Sequence, residues 1–335
     1  MTTKYPIRLG YACINTELRD DDIFTSRSAT LSTVEKKGID HIKKLVSNNV
    51  DDLLKILIYN EAHGIRFFRI SSCVFPHLGN DRLTTEDSNY DIDFVKDKLK
   101  TIGKFAKKNG HRLTMHPGQY TQLGSPIDLV VKRSYVDLIN HVKLLKMMNY
   151  GPSDGSVLII HGGGTYGNKI ETLDRWEKNF LKLPIEIRSY ICLENDEYSY
   201  GIMDLLPFCE RLQIPFCLDI FHNRVSHDRI PITKKLIKRI FNTWQNHGSI
   251  PKIHVSEQQI GLRKGAHSLT LDKLPLYLLH LPYIFNTELD IMLEVKDKEV
   301  SVFKIYYKYF NIEMDPNGKI NYSIKNQYVK DQYVK

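Results

Sequence analysis

The chain has no apolar run approaching the roughly 18–20 residues of a membrane-crossing helix, which argues against a helical membrane protein. It has no CxxC pair, and its five cysteines (Cys13, Cys73, Cys192, Cys209, Cys217) are widely spaced. Neither a zinc knuckle nor a disulfide framework is therefore expected; reduced, structural thiols in an intracellular protein are. There is no Walker loop and no GxGxxG sequence, so ATP or dinucleotide chemistry has no support. The opening MTTKYPIRLGY lacks the charged-then-apolar layout of a secretory signal, and no linker or low-complexity tract divides the chain.

What is present suits one large α/β domain: 335 residues, 42% hydrophobic and 26% charged. A net charge of +8 and a pI near 9.0 lean toward a polyanionic partner such as nucleic acid, because phosphate contacts need Lys and Arg. Short apolar runs read as strands at Ile7–Tyr11, Phe67–Ile70, Leu113–His116, Val157–His161, Tyr190–Glu194, Phe216–Asp219, Lys252–Val255 and Ile291–Val295. Amphipathic segments lie between them. NNVDDLLKILIYNEAHG places Val50, Leu53, Leu54 and Leu57 on one face and stops at Gly64; DLVVKRSYVDLINHVKLLKMMN is a second long helix. Strand–helix alternation predicts a parallel sheet, and eight units fit a closed (β/α)8 TIM barrel over residues 1–300. Residues 301–335 read as a basic, peripheral C-terminal extension with a DPNG turn and a duplicated QYVK.

The residues that close the strands carry the chemistry: Tyr11, Arg69, His116, His161, Glu194, Asp219 with His222, His254 and Glu294. On a barrel they converge at the C-terminal rim, where catalytic groups sit. One histidine ending a strand is ordinary rim packing, but a ring of buried imidazoles and carboxylates is heavily unfavourable without a cation. The mixed His/carboxylate set suits Zn²⁺ or Mn²⁺, with room for two or three ions able to assist an in-line phosphoryl displacement. GPSDG (151–155) fits the GxSxG nucleophile-elbow pattern, yet a helix precedes Ser153 and a strand follows, the reverse of what an elbow needs.

The ordered blocks IRLGYACIN (7–15), FRISS (68–72), MHPGQY (115–120), IIHGGGTYGNK (159–169), LENDE (193–197), LDIFHN (218–223), PKIHVS (251–256), GAH (265–267) and MLEVKDKE (292–299) resemble the UV damage endonuclease family, relatives of endonuclease IV among the xylose-isomerase-like barrels. The resemblance covers roughly residues 7–300 and reaches every predicted strand. It implies an ATP-independent endonuclease that nicks DNA immediately 5′ to cyclobutane pyrimidine dimers and 6-4 photoproducts, with some activity at abasic sites. The nick would leave a 3′-hydroxyl and a 5′-phosphate.

By that resemblance the metal ligands are His116, His161, Glu194, Asp219, His222, His254, His267 and Glu294, holding two or three divalent ions, manganese foremost with Zn²⁺ or Mg²⁺ as alternatives. Glu194 would bridge, Lys252 would reach the ions after carboxylation, and Glu194, Lys252 and His161 form the catalytic set. At a further family histidine position this chain has Asn80, and His77 three residues earlier is the expected substitute. Gln119 and Tyr120 match the lesion-reading pair, while Tyr11, Asn15 and Lys169 match positions near the damaged strand and its phosphates. The implied partner is damaged double-stranded DNA, bound by a monomer with no nucleotide cofactor and no membrane. The compartment is expected to be cytoplasm, nucleus, or a virion or viral factory, according to source. A sugar isomerase or epimerase on the same barrel, or a non-catalytic damage binder, are the rival readings.

Overall fold

In the computed structural model, residues 4–83 and 90–329 are described. Eight strands, β1 (Ile7–Ala12), β2 (Phe67–Ile70), β3 (Arg112–Met115), β4 (Leu158–His161), β5 (Ile191–Glu194), β6 (Phe216–Asp219), β7 (Lys252–Val255) and β8 (Leu289–Leu293), pair in parallel and in chain order. The ring closes between β8 and β1, with Ile7 opposite Leu289 and Tyr11 opposite Leu293. This is the expected (β/α)8 barrel. Strands covered by helices outside and side chains inside are buried on both faces, which is why they read as unbroken apolar runs.

The register sets the height of the strand-end side chains. His161 lies opposite Glu194, and Asp219 opposite His254, so the polar residues that end neighbouring strands share one level. Three ends differ from the sequence reading, the first only by β1 running one residue on to Ala12. His116 falls just past β3, its carbonyl taken by the Ser72 hydroxyl at 2.8 Å instead of by the ladder. Glu294 falls just past β8, although its N–H still reaches the Val255 carbonyl at 2.9 Å.

The helix Ile39–Ala62 buries Val46, Val50, Leu53 and Leu57 along one stripe. Its chain turns at Gly64, where φ is +70° and an added methyl would lie 2.8 Å from the Ile320 carbonyl. The helix Asp128–Met147 matches the second amphipathic pattern. The basic run KKLIKR (234–239) lies on the outer helix Lys234–His247, with Leu236 and Ile237 buried. GPSDG forms a short turn at Pro152–Asp154 before β4, as its flanks required.

The helix Glu299–Tyr309, which runs into the segment expected as an extension, buries Val302, Ile305 and Tyr306 against the barrel. It leads into an antiparallel hairpin, β9 (Phe310–Met314) and β10 (Ile320–Ile324). Tyr306 stacks on Tyr322 with ring centroids 3.6 Å apart, its hydroxyl accepts from the Leu9 N–H at 2.9 Å, and the Tyr322 hydroxyl donates to the His63 carbonyl at 2.8 Å. The hairpin thus packs beside the turn into β2, toward the end of the barrel opposite the His/carboxylate rim. Part of the duplicated QYVK, from Lys330 onward, lies outside the described residues.

Candidate active site at the C-terminal rim

Glu194 ends β5 at the centre of the rim and is 1% exposed. The Nδ1–H of His254 donates to its Oε1 at 2.5 Å, while its Oε2 is 3.1 Å from His116 Nε2 and 3.9 Å from His161 Nε2. Glu294 lies 3.1 Å from His254 Nδ1 and 3.9 Å from His267 Nε2, and is paired with the half-buried Arg69. Asp219 caps the helix Ile220–Val225 by accepting from the His222 N–H at 2.7 Å; its other oxygen is 3.7 Å from His222 Nε2. Four overlapping sets result among the described residues: His116, His161 and Glu194; Glu194, Cys217 and His254; Glu194, Asp219 and His222; Asp219, His254 and Glu294. In each, the donor atoms lie within 4.8 Å of one another.

The donor set fits divalent cations. Three carboxylates converge in a buried space, an arrangement that repels itself without positive charge. Asp219 Oδ2, His161 Nδ1 and His254 Nε2 are buried without a hydrogen-bond partner, which such groups rarely tolerate. Burial pushes the His254 imidazole down to about 4 and lowers His161 and His267, so all three are neutral at pH 7, the state that offers a lone pair. Burial also opposes ionisation of Glu194, but His254, His116 and His161 outweigh it and hold the carboxyl well below its usual range. Asp219 goes the other way, pushed up to about 8 by burial and by repulsion from Glu194 and Glu294. His222 resists burial because Asp219 and Glu197 hold it up at about 10.

The second feature of the rim is a turn. Three residues beyond His116, Gln119 and Tyr120 stand exposed, and Tyr120 is 78% accessible. Tyr120 borders an open groove of about 730 Å³ lined by Phe75, Pro76, Leu78, Val130 and Arg133. The following HGGG turn explains two of its glycines. Gly163 has φ +89°, and a methyl at Gly162 would lie 2.5 Å from the Tyr200 ring.

Other expected site residues sit elsewhere. His77 borders the groove with its Nε2 2.6 Å from the Ala29 carbonyl and joins none of the four sets; Asn80 lies beside it. Tyr11 and Asn15 are buried and bonded to each other, with the Tyr11 hydroxyl donating to Asn60 at 2.6 Å. Lys169 pairs with Asp204 at 2.8 Å. Lys252 is fully buried, 3.3 Å from the Thr114 hydroxyl, and burial lowers its ammonium to about 8.

Two contributors escaped the sequence reading, and the partner of a third did. Glu197, 2.8 Å from His222 Nδ1, is the third acid in LENDE, but nothing in its spacing marks which imidazole it meets. Arg69 is expected at the rim, but its partner Glu294 is 225 residues away. Asn195 exchanges two 2.9 Å hydrogen bonds with the Asp219 backbone, joining the ends of β5 and β6.

A closed eight-stranded parallel barrel with this rim defines an enzyme of the TIM-barrel class equipped for divalent metals. The sequence matches the UV-endonuclease UvdE family over residues 7–323, and the chain belongs to that family. A protein of Acanthamoeba polyphaga mimivirus is 60% identical over 322 residues, covering 96% of this chain and 97% of its own. The UV-damage endonuclease of Schizosaccharomyces pombe is 38% identical over 319 residues; the match takes in 90% of this chain and 50% of that protein, so the chain spans about half its length. The crystal structure of SacUVDE superposes with a TM-score of 0.75 at 32% identity, over 89% of this chain and 96% of that one. Family membership makes the chain a DNA repair endonuclease directed at UV damage, and sets the sugar isomerase reading aside.

Proposed function

We propose that the enzyme cuts the DNA backbone immediately 5′ to cyclobutane pyrimidine dimers and 6-4 photoproducts, and at abasic sites, leaving a 3′-hydroxyl and a 5′-phosphate. The observation that supports this most is the juxtaposition of two devices on one rim: a buried His/carboxylate cluster and, three residues past His116, an exposed amide–aromatic turn. The residues suited to hold two or three divalent ions, Mn²⁺ foremost, are His116, His161, Glu194, Asp219, His222, His254, His267 and Glu294. When bound, such ions supply a hydroxide nucleophile and charge stabilisation for a pentacoordinate phosphate.

The chain's own contribution starts with Gln119 and Tyr120. A planar amide and an aromatic ring wedge into the duplex and stack where the lesion has left, at an unstacking cost of a few kcal/mol that is least for already distorted DNA. Glu194 is fixed between His116 and His254, so its two oxygens face different ligand sets without reorganisation. Arg69 holds Glu294. Lys252, with a fraction of its amine unprotonated near neutral pH, is suited to add CO₂ and lose a proton, giving a carbamate that joins the ligand set.

UV-irradiated supercoiled plasmid incubated with the protein and Mn²⁺ should be nicked, untreated plasmid should not, and Glu194→Ala should abolish nicking with the far-UV circular dichroism retained. Undiminished cleavage by Glu194→Ala would remove the assignment of the cluster.

A further inference from the structure

The helix Asp128–Met147 carries a polar stripe where an apolar one is expected. Ser134, Asp137 and His141, at positions i, i+3 and i+7, share one face, and Ser134 and His141 are buried. Burying such groups is unfavourable unless each is bonded, and here each is, to the loop that bears Gln119 and Tyr120 or to its supports. The Ser134 hydroxyl accepts from the Gln122 N–H at 2.8 Å and donates to the Val130 carbonyl at 2.8 Å. Asp137 accepts from the Thr121 hydroxyl. His141 Nδ1 lies 2.7 Å from the Asp137 carbonyl oxygen and 3.2 Å from its carboxylate, and its Nε2 is 2.9 Å from the Ser72 hydroxyl. Ser72 in turn donates to the His116 carbonyl at 2.8 Å. Because that hydroxyl is committed to a backbone carbonyl, Ser72, His141 and Asp137 do not make a nucleophilic triad despite their order.

The chain of bonds begins at one foot of the loop and ends at the other. Thr121, Asp137, His141, Ser72 and the His116 carbonyl are linked in series, with only residues 117–120 left between the feet. Gln122 braces the tip, its side-chain amide donating to the Gln119 carbonyl at 3.0 Å while the Tyr166 hydroxyl donates to its oxygen.

We infer that Asp137 and His141 are positioning residues for lesion recognition: they clamp both feet of the 116–121 loop so that Gln119 and Tyr120 meet DNA as a preformed wedge. This rests on the reading of Gln119 and Tyr120 as the wedge. Preorganisation spares the ordering of the loop at the moment of binding, so its loss shows in the preference for lesion over undamaged DNA.

The test uses the full chain loaded with Mn²⁺ and a duplex with one cyclobutane dimer and 2-aminopurine in the opposite strand. Stopped-flow fluorescence follows base unstacking before the nick, and competition with undamaged duplex gives the lesion preference. Asp137→Asn and His141→Ala should each lower that preference by about tenfold, the scale of one charge-assisted hydrogen bond. His141→Gln, which can restore the bond to Ser72, should recover part of it. Bound Mn²⁺ per chain and affinity for undamaged DNA should stay at wild-type values. The double variant Tyr120→Ala/His141→Ala should be no worse than Tyr120→Ala, because the clamp acts only through the wedge. Additive losses in the double variant, or a collapse in Tyr120→Ala with none in His141→Ala, overturn the clamp. No loss in Tyr120→Ala overturns the wedge reading itself, and the clamp with it.

Discussion

Glu194 shows how one side chain is given two tasks. Its oxygens point to different imidazoles, and the surrounding histidines keep it ionised although it is buried. Asp219 and His222 are the counterweight: without a cation, Asp219 at about 8 keeps its proton at pH 7 and His222 at about 10 is charged. Both must lose protons to ligate, so ion binding should release protons and weaken as pH falls from about 8 to about 6. Titrating Mn²⁺ into chelator-treated protein in two buffers of different ionisation enthalpy should give different heats; equal heats would contradict this assignment. The same apo-protein should melt lower than the loaded form, by about 2.7 kcal/mol of stability at a hundredfold excess of Mn²⁺ over Kd. A melting temperature unchanged by Mn²⁺ would mean that the converging carboxylates are not its site.

Among the elements, the strands were legible because each is a short apolar run with a polar side chain at, or one residue from, its end, a pattern that fits a closed parallel barrel. The ring of His116, His161, Glu194, Asp219, His254 and Glu294 follows from those endings. What was not legible depends on loops and distant partners. Glu197 is a loop acid aimed at His222, and nothing near Arg69 names Glu294. Tyr11 and Asn15 lie on or beside β1, but only packing reveals that they are buried against Asn60. Helix packing has similar hidden constraints. A methyl at Gly103, on the helix Lys96–Lys108, would come 1.8 Å from the Met148 carbonyl at the end of the next helix. Gly103→Ala should therefore force the two helices apart, at about 1–3 kcal/mol of stability by urea unfolding, although alanine is the better helix former.

The whole molecule divides its work between two ends. The rim carries the candidate chemistry; the opposite end is fastened by Asp290, bonded to Arg8 at 2.7 Å and Arg112 at 2.6 Å, and by the C-terminal hairpin. Burial alone would raise the Asp290 carboxyl, but the two guanidiniums hold it below its ordinary value. A carboxyl lowered in the folded state stabilises fully above the ordinary carboxylate range and loses that contribution as pH falls through its folded value. The gap in unfolding free energy between wild type and Asp290→Asn should accordingly hold steady at about pH 5 and above and narrow as pH falls below about 4, the ordinary aspartate value; a constant gap throughout would contradict the pairing. Tyr322→Ala, which removes the ring stacked on Tyr306, should cost about 3 kcal/mol while leaving Mn²⁺ binding at the rim intact. The central claim is that the rim cluster, served by the Gln119–Tyr120 turn, cuts DNA at one defined phosphate. It is tested most directly by mapping the nick on an end-labelled duplex with a single cyclobutane dimer, using wild type, Tyr120→Ala and Glu194→Ala. Wild type should give one cut immediately 5′ to the dimer with a 3′-hydroxyl end, weakened in Tyr120→Ala and absent in Glu194→Ala. Cuts scattered along the strand, or a wild-type pattern from Glu194→Ala, would contradict it.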